Sequence, residues 1–511
     1  MQTRYDVVVI GGGINGAGIA RDAAGRGLSV LLCEQHDLAQ HTSSASTKLI
    51  HGGLRYLEYY EFGLVRKALR EREVLLRAAP HIIRPLRFVM PYDASMRPQW
   101  MIRAGLFLYD HLARRELLPG SSAIDLRAHP AGAPLRDTYR RAFVYSDGWV
   151  DDARLVVLNA IDASERGATV LTRTRCVGAT REQSASGEPH WKVRLRRAGE
   201  GGAESTVTAR ALVNAAGPWA ASLLSEQLGL RSRRRLRQVK GSHIVVPALF
   251  EHPFAYIFQN PDRRIIFAIP FERRFTLIGT TDVDYPGDPG QAAIDAQEID
   301  YLCANATRYF RAPVRPADVV WTYSGVRPLL DDERDDARAV TRDYQLELDR
   351  DGAPLLSVLG GKITTFRKLA EEAVGRVQDA LGRSAPAWTA AAPLPGGDLP
   401  GADFERFEQS LRARLPWLAA PVLERWARAY GTRIDRLVGS ADRVAQLGAE
   451  VAPGLYEAEL DYLRSREWAA TADDALWRRT KLGLQLDADQ RRAVADWFES
   501  ARARVGAAGV G

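Results

Sequence analysis

Cysteine is almost missing: Cys33, Cys176 and Cys303 are the only three in 511 residues, and none stands in CxxC spacing. That excludes a disulfide framework, leaves no iron–sulfur or zinc pattern to read, and points to a reducing compartment. Neither HExxH nor a carboxylate repeat occurs, so no metal is expected. No apolar run approaches the roughly 18 to 20 residues that cross a bilayer, which excludes a polytopic membrane protein. Met1 to Asp6 runs straight into an apolar strand without a signal peptide, so the chain is expected to start and stay in the cytoplasm. Lysine is also scarce, seven residues against 63 arginines, within a formal net charge of +7. Arginine spread so widely reads first as solvated surface and second as a preference for anionic partners. With 46% hydrophobic and 26% charged residues the composition is that of a folded soluble protein, and the length allows two to four domains.

What is present begins at the amino terminus. Tyr5 to Ile10 (YDVVVI) is a β-branched apolar run of the kind buried on both faces of a parallel sheet. Gly11-Gly12-Gly13-Ile14-Asn15-Gly16 then spells G-x-G-x-x-G and opens a small-residue helix that ends near Gly25. Gly11 permits a tight turn, Gly13 lets backbone approach a pyrophosphate, and Gly16 lets helix and strand pack closely. A second strand, Ser29 to Cys33, ends in Glu34, placed to accept hydrogen bonds from ribose hydroxyls. An adenine dinucleotide fits this order, with NAD and FAD both open at this point.

Three further stretches favour FAD. His41 to Arg55 (HTSSASTKLIHGGLR) offers hydroxyl donors and a second glycine pair, Gly52-Gly53. Leu212 to Trp219 (LVNAAGPW) is a strand broken by small residues, including Ala215 and Gly217, as suits backbone passing close to a ligand. Leu355 to Arg367 (LLSVLGGKITTFR) repeats strand, paired glycines and helix entry. Three glycine-bearing turns would converge on one long ligand, and a nicotinamide enzyme needs no third.

These blocks, with TSSASTKLIHGGLRYLEYYEFGLV, YSDGWVDDARL, KGSHIVVP, IGTTDVDY, WTYSGVRPL, TRDY and GGKITTFRKLAE, resemble the FAD-dependent glycerol-3-phosphate dehydrogenases, most of all their bacterial respiratory (aerobic) branch. They run in order from residue 7 to 372, and EWAATADDALWRRTKLG (467 to 483) is similar to the family's helical extension. The resemblance implies an α/β fold with a Rossmann-like FAD-binding domain of the D-amino-acid-oxidase-like type, a β-rich substrate domain and a C-terminal α-helical domain. The expected FAD domain is discontinuous (1–85, 145–232 and 350–388), the substrate domain spans 86–144 and 233–349, and helices fill 389–511. Residues 384–401, rich in Pro, Ala and Gly, read as a linker. Phe404, Phe407, Leu411 and Leu415 repeat at helical spacing beyond it.

The implied reaction is oxidation of sn-glycerol 3-phosphate to dihydroxyacetone phosphate with hydride transfer to flavin N5. A phosphate dianion calls for fixed cations, and the family motifs single out Arg55, Arg327, Arg342 and Lys362. The proton acceptor is sought among histidines: His51 and His243 lie in family-like motifs, and which of them is the base stays open, since Arg327 could instead stabilise the alkoxide while a water takes the proton. The resemblance places Gly11, Gly13, Ile14, Asn15, Gly16, Glu34, Ser43, Ser44, Ser46, Thr47, Gly52, Gly53, Val177, Ala215, Gly217, Gly361, Lys362 and Thr364 against non-covalent FAD. Asp147, Asp151 and Asp152 are read as helix caps, and Thr280, Thr281 and Asp282 as a strand-end turn facing the active site.

Without the insertion that the family's oxidases carry, the electron acceptor is expected to be membrane quinone. The chain would then sit peripherally on the inner face of the cytoplasmic membrane and touch anionic lipid. Met96 to Leu118 and the basic Arg231 to Arg237 are the candidate contacts; otherwise the first is a core helix and the second a solvated loop. Nucleic acid is not an expected partner, and the oligomeric state is open, with a homodimer allowed. The rival readings are an oxidase of amino acids or other carboxylates, a glycerol-3-phosphate oxidase using oxygen, a flavin-dependent RNA-modifying protein, and a flavin-binding protein without turnover.

Overall fold

The structure, a computed structural model, describes residues 2–93, 96–199, 202–230, 234–262, 264–330 and 343–508. Among the described residues two large sheets and a helical unit that carries a small two-stranded sheet, Glu450–Ala452 with Leu455–Tyr456, make up the molecule. The first sheet follows from the apolar runs at the amino terminus. β1 (Arg4–Ile10) and β2 (Val30–Cys33) pair in parallel, Val7 to Val30 through Ile10 to Cys33, and β1 continues in parallel onto the strand Glu204–Asn214. Thr169–Leu171 closes one edge, and Leu355–Leu359 with Gln345–Asp349 closes the other. Two antiparallel strands, Thr174–Gln183 and Pro189–Arg197, extend it beyond Glu204–Asn214. Val8, Leu31, Leu212 and Leu356 are inaccessible, as a sheet covered on both faces requires. α1 (Ile14–Gly25) lies across this sheet against α4 (Asp152–Glu165) and the helix Phe366–Ala380.

Among the described residues the second sheet has ten strands, mostly antiparallel, with Leu236–Pro247 and Trp321–Leu330 as its most extensively paired couple. Its strands come from both sides of the expected domain limits. Leu49–Ile50, Ile83–Pro91 and all of Arg141–Val150 belong here, although 1–85 and 145–232 were expected in the cofactor domain. Conversely Gln345–Asp349 pairs in the first sheet. The cause is the hydroxyl-rich segment: after Thr47 it crosses from one sheet to the other through the two-residue strand Leu49–Ile50, which pairs with Trp149 and Gly148.

The C-terminal unit packs Leu411, Trp426, Tyr430, Ile434, Leu460 and Leu463 into a core of its own, as the helical spacing from Phe404 implied. The stretch read as a linker is pinned rather than loose. Leu394 is buried and its N–H donates to Ala78 O at 2.8 Å, Arg21 donates to the carbonyls of Ala392 and Pro393, and Trp388 lies under both Arg21 and Arg166. Proline and glycine remove helix here, but side chains from the first unit supply the missing partners.

Buried ion pairs fasten the two units. Arg154 of α4 reaches Glu467, Lys481 reaches Asp151 at 3.1 Å, and Arg479 and Arg478 both reach Asp37. Burial alone would raise the Asp37 carboxyl; the two guanidinium groups outweigh it and hold the pKa at about 2. An unfolded aspartate titrates near ~3.9, so this group contributes on the order of 2 kcal/mol that is fully present above that pH and vanishes as pH falls through about 2. Thermal scans of the wild-type chain should therefore show stability falling steeply between pH 4 and 2, and Asp37→Asn should be less stable at neutral pH with a flatter profile over that window. Parallel profiles would show that Asp37 does not carry the effect.

Candidate functional site

A cavity of about 530 Å³ opens between the two large sheets and takes residues from most of the motifs named above, though none from KGSHIVVP or from 467–483. Its floor is the first glycine turn. Gly11 has φ 112, and a Cβ there would stand 2.5 Å from Ala215 O; a Cβ on Gly16 would drive into the Gly11 carbonyl oxygen. The turn therefore closes onto the strand Glu204–Asn214 only because both positions lack a side chain. Gly13, the residue before α1, offers no side-chain cap and the first turn holds no acid, so apart from the Ile14 N–H, which Ser43 Oγ accepts, the positive end of the helix stays available to an anion. Glu34 ends β2; its carboxylate accepts the N–H of Gly12 at 2.6 Å and of His36 at 2.8 Å, and burial raises its pKa against those donors. Asn15 Nδ2 donates to Gly360 O at 3.3 Å, which ties the first glycine turn to the third, while its Oδ1 is buried without a partner. Ser43 Oγ accepts the Ile14 N–H at 3.0 Å.

The opposite end of the cavity is cationic and aromatic. Arg55 lies on a short helical turn, Leu54–Tyr59, and Nη2 meets the Tyr59 hydroxyl at 3.5 Å. Lys362 Nζ sits 3.6 Å over the Tyr56 ring, so two tyrosines of one turn aim two cations. Arg327 comes from the strand Trp321–Leu330 and is held by Asp282 and by the Thr280 hydroxyl at 3.0 Å. Thr280 and Asp282 thus line the cavity as the strand-end reading expected, whereas Thr281 is buried and donates to Glu298 at 2.6 Å. His51 lines the cavity, with its N–H donating to Thr364 Oγ1 at 3.2 Å.

His243 does not reach it. Fully buried and stacked on Tyr323 with ring centroids 4.7 Å apart, it meets Thr47 Oγ1 through Nε2 at 3.0 Å, and it is Thr47 that lines the cavity. Burial first, then the charges of Arg327 and Lys48, push its pKa well below the ordinary histidine value, so its ring stays neutral at physiological pH.

A model for "FAD dependent oxidoreductase" matches residues 6–367, and one for "C-terminal domain of alpha-glycerophosphate oxidase" matches 387–503. The chain belongs to the FAD dependent oxidoreductase family. A glycerol-3-phosphate dehydrogenase of Pseudomonas aeruginosa is 54% identical over 97% of this chain and 95% of its own length, which sets the chain among the dehydrogenases that its motifs resemble. A D-erythritol 1-phosphate dehydrogenase of Brucella abortus is 51% identical over 97% of this chain and 98% of its own. The crystal structure of the glycerol-3-phosphate dehydrogenase from Bacillus halodurans complexed with FAD superposes with a TM-score of 0.76 at 28% identity, covering 98% of this chain and 90% of that one.

FAD is the cofactor of this family, and the residues present fit it. The side-chain-free turn, the start of α1, the Glu34 carboxylate and the orphaned Asn15 Oδ1 all stand at the cavity wall and offer it donors and acceptors. Of the residues expected against FAD, Gly11, Gly13, Ile14, Asn15, Glu34, Ser43, Ser46, Thr47, Gly53, Ala215, Gly217, Gly361, Lys362 and Thr364 line the cavity. Four do not. Gly16 packs under the turn; Gly52 gives its N–H to the Tyr109 hydroxyl at 2.9 Å and packs on Leu69; Ser44 Oγ donates to His41 O; Val177 lies beyond Thr174, Arg175 and Cys176, which take its expected place. Arg342 lies outside the described residues.

The three aspartates divide. Asp151 caps α4 by accepting the Arg154 N–H, as expected. Asp152 instead anchors the hydroxyl-rich loop, accepting from Ser46 Oγ at 2.7 Å and Lys48 Nζ at 2.7 Å. Asp147 is buried and accepts from Arg72 at 2.6 Å and Tyr109 at 2.8 Å. In both cases a buried cation shares the carboxylate with backbone N–H groups, Lys48 with those of Ser46 and Ala153 at Asp152 and Arg72 with that of Gly52 at Asp147. Sequence reasoning missed Tyr56, Tyr59, Trp219, Phe88, Tyr145 and Phe267 in the lining, because aromatic residues in strands and turns look the same whether they face a core or a ligand. Gly16→Ala should fold yet purify without yellow colour, as read by the flavin absorbance per chain; full flavin content would show that the turn yields to a methyl group.

Proposed function

We propose that this chain oxidises sn-glycerol 3-phosphate to dihydroxyacetone phosphate, using non-covalently held FAD and passing the electrons to a membrane quinone. One observation carries the reading: Arg55, Arg327 and Lys362 face the same cavity as the glycine turn that receives the dinucleotide. Three fixed cations beside a flavin suit a doubly ionised phosphate better than the single carboxylate of an amino acid. Bound in this cavity, FAD supplies a two-electron acceptor for the hydrogen on the alcohol carbon. The chain's residues supply the rest. Arg55 and Lys362, oriented by Tyr59 and Tyr56, hold the phosphate; Arg327, fixed by Asp282 and Thr280, stabilises negative charge on the alcohol oxygen; and His51, which lines the cavity, takes the hydroxyl proton. His243 supports Thr47 from behind.

The similarity to a D-erythritol 1-phosphate dehydrogenase favours a second reading in which the alcohol is one carbon longer. The phosphate clamp would serve either compound, so the alcohol end decides. Anaerobic mixing with sn-glycerol 3-phosphate should bleach the flavin band near ~450 nm with a larger second-order rate than D-erythritol 1-phosphate. Inorganic phosphate should compete and acetate should not. His51→Asn should slow bleaching by about 10²- to 10⁴-fold and remove its pH dependence near neutrality, with His243→Asn milder and retaining that dependence. No bleaching by either phosphate ester would end the reading, and the reverse order of the two histidines would make His243, through Thr47, the base.

The membrane reading gains from α3 (Gln99–His111), which buries only Leu106 and Tyr109. Trp100 is 69% exposed and Phe107 64%, with Met101 and Leu108 beside them and the exposed Arg97, Arg103 and Arg114 around them. An outward apolar face bordered by cations is the pattern of a helix lying in the interface, not of a core helix. Within Arg231 to Arg237, residues 231–233 lie outside the described ones, and Arg237 pairs with Asp284, which weakens that stretch as a lipid contact. Among the described residues no helix is long and apolar enough to cross a membrane. Anionic liposomes should float the wild-type protein at low salt, and Trp100→Ser with Phe107→Ser should leave it in the aqueous fraction; flotation of both alike would place the contact elsewhere.

A further inference from the structure

The reaction proposed above uses nothing from the C-terminal helical unit, yet that unit reaches the cofactor half of the cavity through one short stretch. Arg479, fully buried, sets Nη1 and Nη2 against the two oxygens of Asp37, both at 2.8 Å, and Arg478 Nε adds a third contact at 2.6 Å. From the same turn Asp474 accepts from Arg173 Nη2 at 2.7 Å and from Arg478. One turn of the C-terminal unit therefore holds two separate places in the first unit.

Both places adjoin the cavity wall. Asp37 stands between Glu34 and Gln35 on one side and Ala39 to Ser43 on the other, all of which line the cavity, and Arg173 precedes the lining residues Thr174 to Cys176. They are also joined to each other: the Arg173 N–H donates to His36 O at 2.8 Å and the Thr174 N–H to Glu34 O at 2.7 Å. The segment is tied elsewhere too, by buried Leu38, by Thr42 Oγ1 donating to Val326 O at 2.7 Å and by Ser43 Oγ accepting the Ile14 N–H at 3.0 Å, but the Asp37 carboxylate at its middle is held by the two arginines. No helix or strand runs through 34–41, and Ala39 sits at φ 61, a conformation that a residue with a Cβ keeps only when its surroundings impose it. A segment left to fluctuate would have to be ordered each time the dinucleotide bound, and that cost would appear as weaker retention.

We propose that Arg478 and Arg479 of the C-terminal unit are positioning residues for FAD: by anchoring Asp37 they hold segment 34–43 closed over the dinucleotide and so set how long the cofactor stays bound. The inference rests on the FAD reading of the cavity but not on which alcohol is oxidised. A second contact between the same two units supplies the contrast. Arg433 meets Glu165 at 2.9 Å, and Glu165, the last residue of α4, lines no part of the cavity. A clamp on the cofactor and a mere fastening of the units thus predict different outcomes.

The test is release of FAD from the yellow holoenzyme, followed as the rise in free flavin fluorescence after dilution at neutral pH, together with Tm as a function of added FAD. Arg478→Gln and Asp37→Asn should release FAD at least fivefold faster than wild type and need more FAD to reach the same Tm, and Arg478→Lys should recover part of the loss. Glu165→Gln should lower Tm at every FAD concentration and leave the release rate unchanged. If Asp37→Asn fails to fold, Arg478→Gln, whose side chain is 13% exposed, decides alone. Release less than fivefold faster in Arg478→Gln, or an equal acceleration in Glu165→Gln, overturns the clamp. A wild-type chain that is colourless and takes up no FAD overturns the cofactor reading beneath it, which separates that failure from the failure of the clamp.

Discussion

The architecture depends on one close approach of backbone to backbone, between the turn at Gly11 to Gly16 and Ala215, the residue that follows the strand Glu204–Asn214. The carbonyl of Gly11 lies where a side chain on Gly16 would have to be, and Ala215 O lies where one on Gly11 would. Because nothing intervenes, α1 can pack directly over β1, and its first residues, Ile14 and Asn15, line the cavity. The cations at the far end gain their meaning from this contact: Arg55, Arg327 and Lys362 stand on three separate segments, and they share a ligand only because the dinucleotide turn and the second sheet enclose one space. Remove the close approach and the cavity loses its floor before it loses any charged residue.

Much of this was legible in the sequence because glycine spacing and apolar runs report backbone geometry locally. Strand, turn, helix, strand and Glu34 appear in the chain in the order in which they act, and fourteen of the residues expected against FAD line the cavity. What could not be read was which face a residue presents. Val177 and its neighbours Thr174 to Cys176 differ only in where a bulge between Cys176 and Gly178 shifts the register, and nothing in the residue types announces that shift. His51 and His243 look alike as members of motifs; the distinction between a ring at the cavity and one stacked behind Thr47 arises from strands over a hundred residues apart. Sheet membership was hidden for the same reason, since a two-residue strand such as Leu49–Ile50 carries no periodicity of its own, yet it decides the sheet to which the chain passes.

Arginine is the instructive failure. Sixty-three of them read as solvated surface, and many are, but Arg21, Arg72, Arg154, Arg367 and Arg479 are buried, each against a carboxylate. A buried guanidinium is tolerable only when its charge and its donors are matched, and its planar fork allows two parallel bonds to one carboxylate where an ammonium group would offer a point charge. Such a pair costs desolvation and adds little net stability over an apolar contact of the same volume, so stability alone does not explain why so many are placed between segments distant in sequence. Geometry does. Arg367 joins Glu71 across nearly three hundred residues, Arg154 joins Glu467 across more, and Arg479 joins Asp37 across still more. Apolar surfaces can slide over one another with little change in energy, whereas a two-pronged ion pair is satisfied at one register. In a chain whose cavity is assembled from remote segments, that restriction is what allows the glycine turn, the hydroxyl-rich loop and the cationic end to meet in a single arrangement.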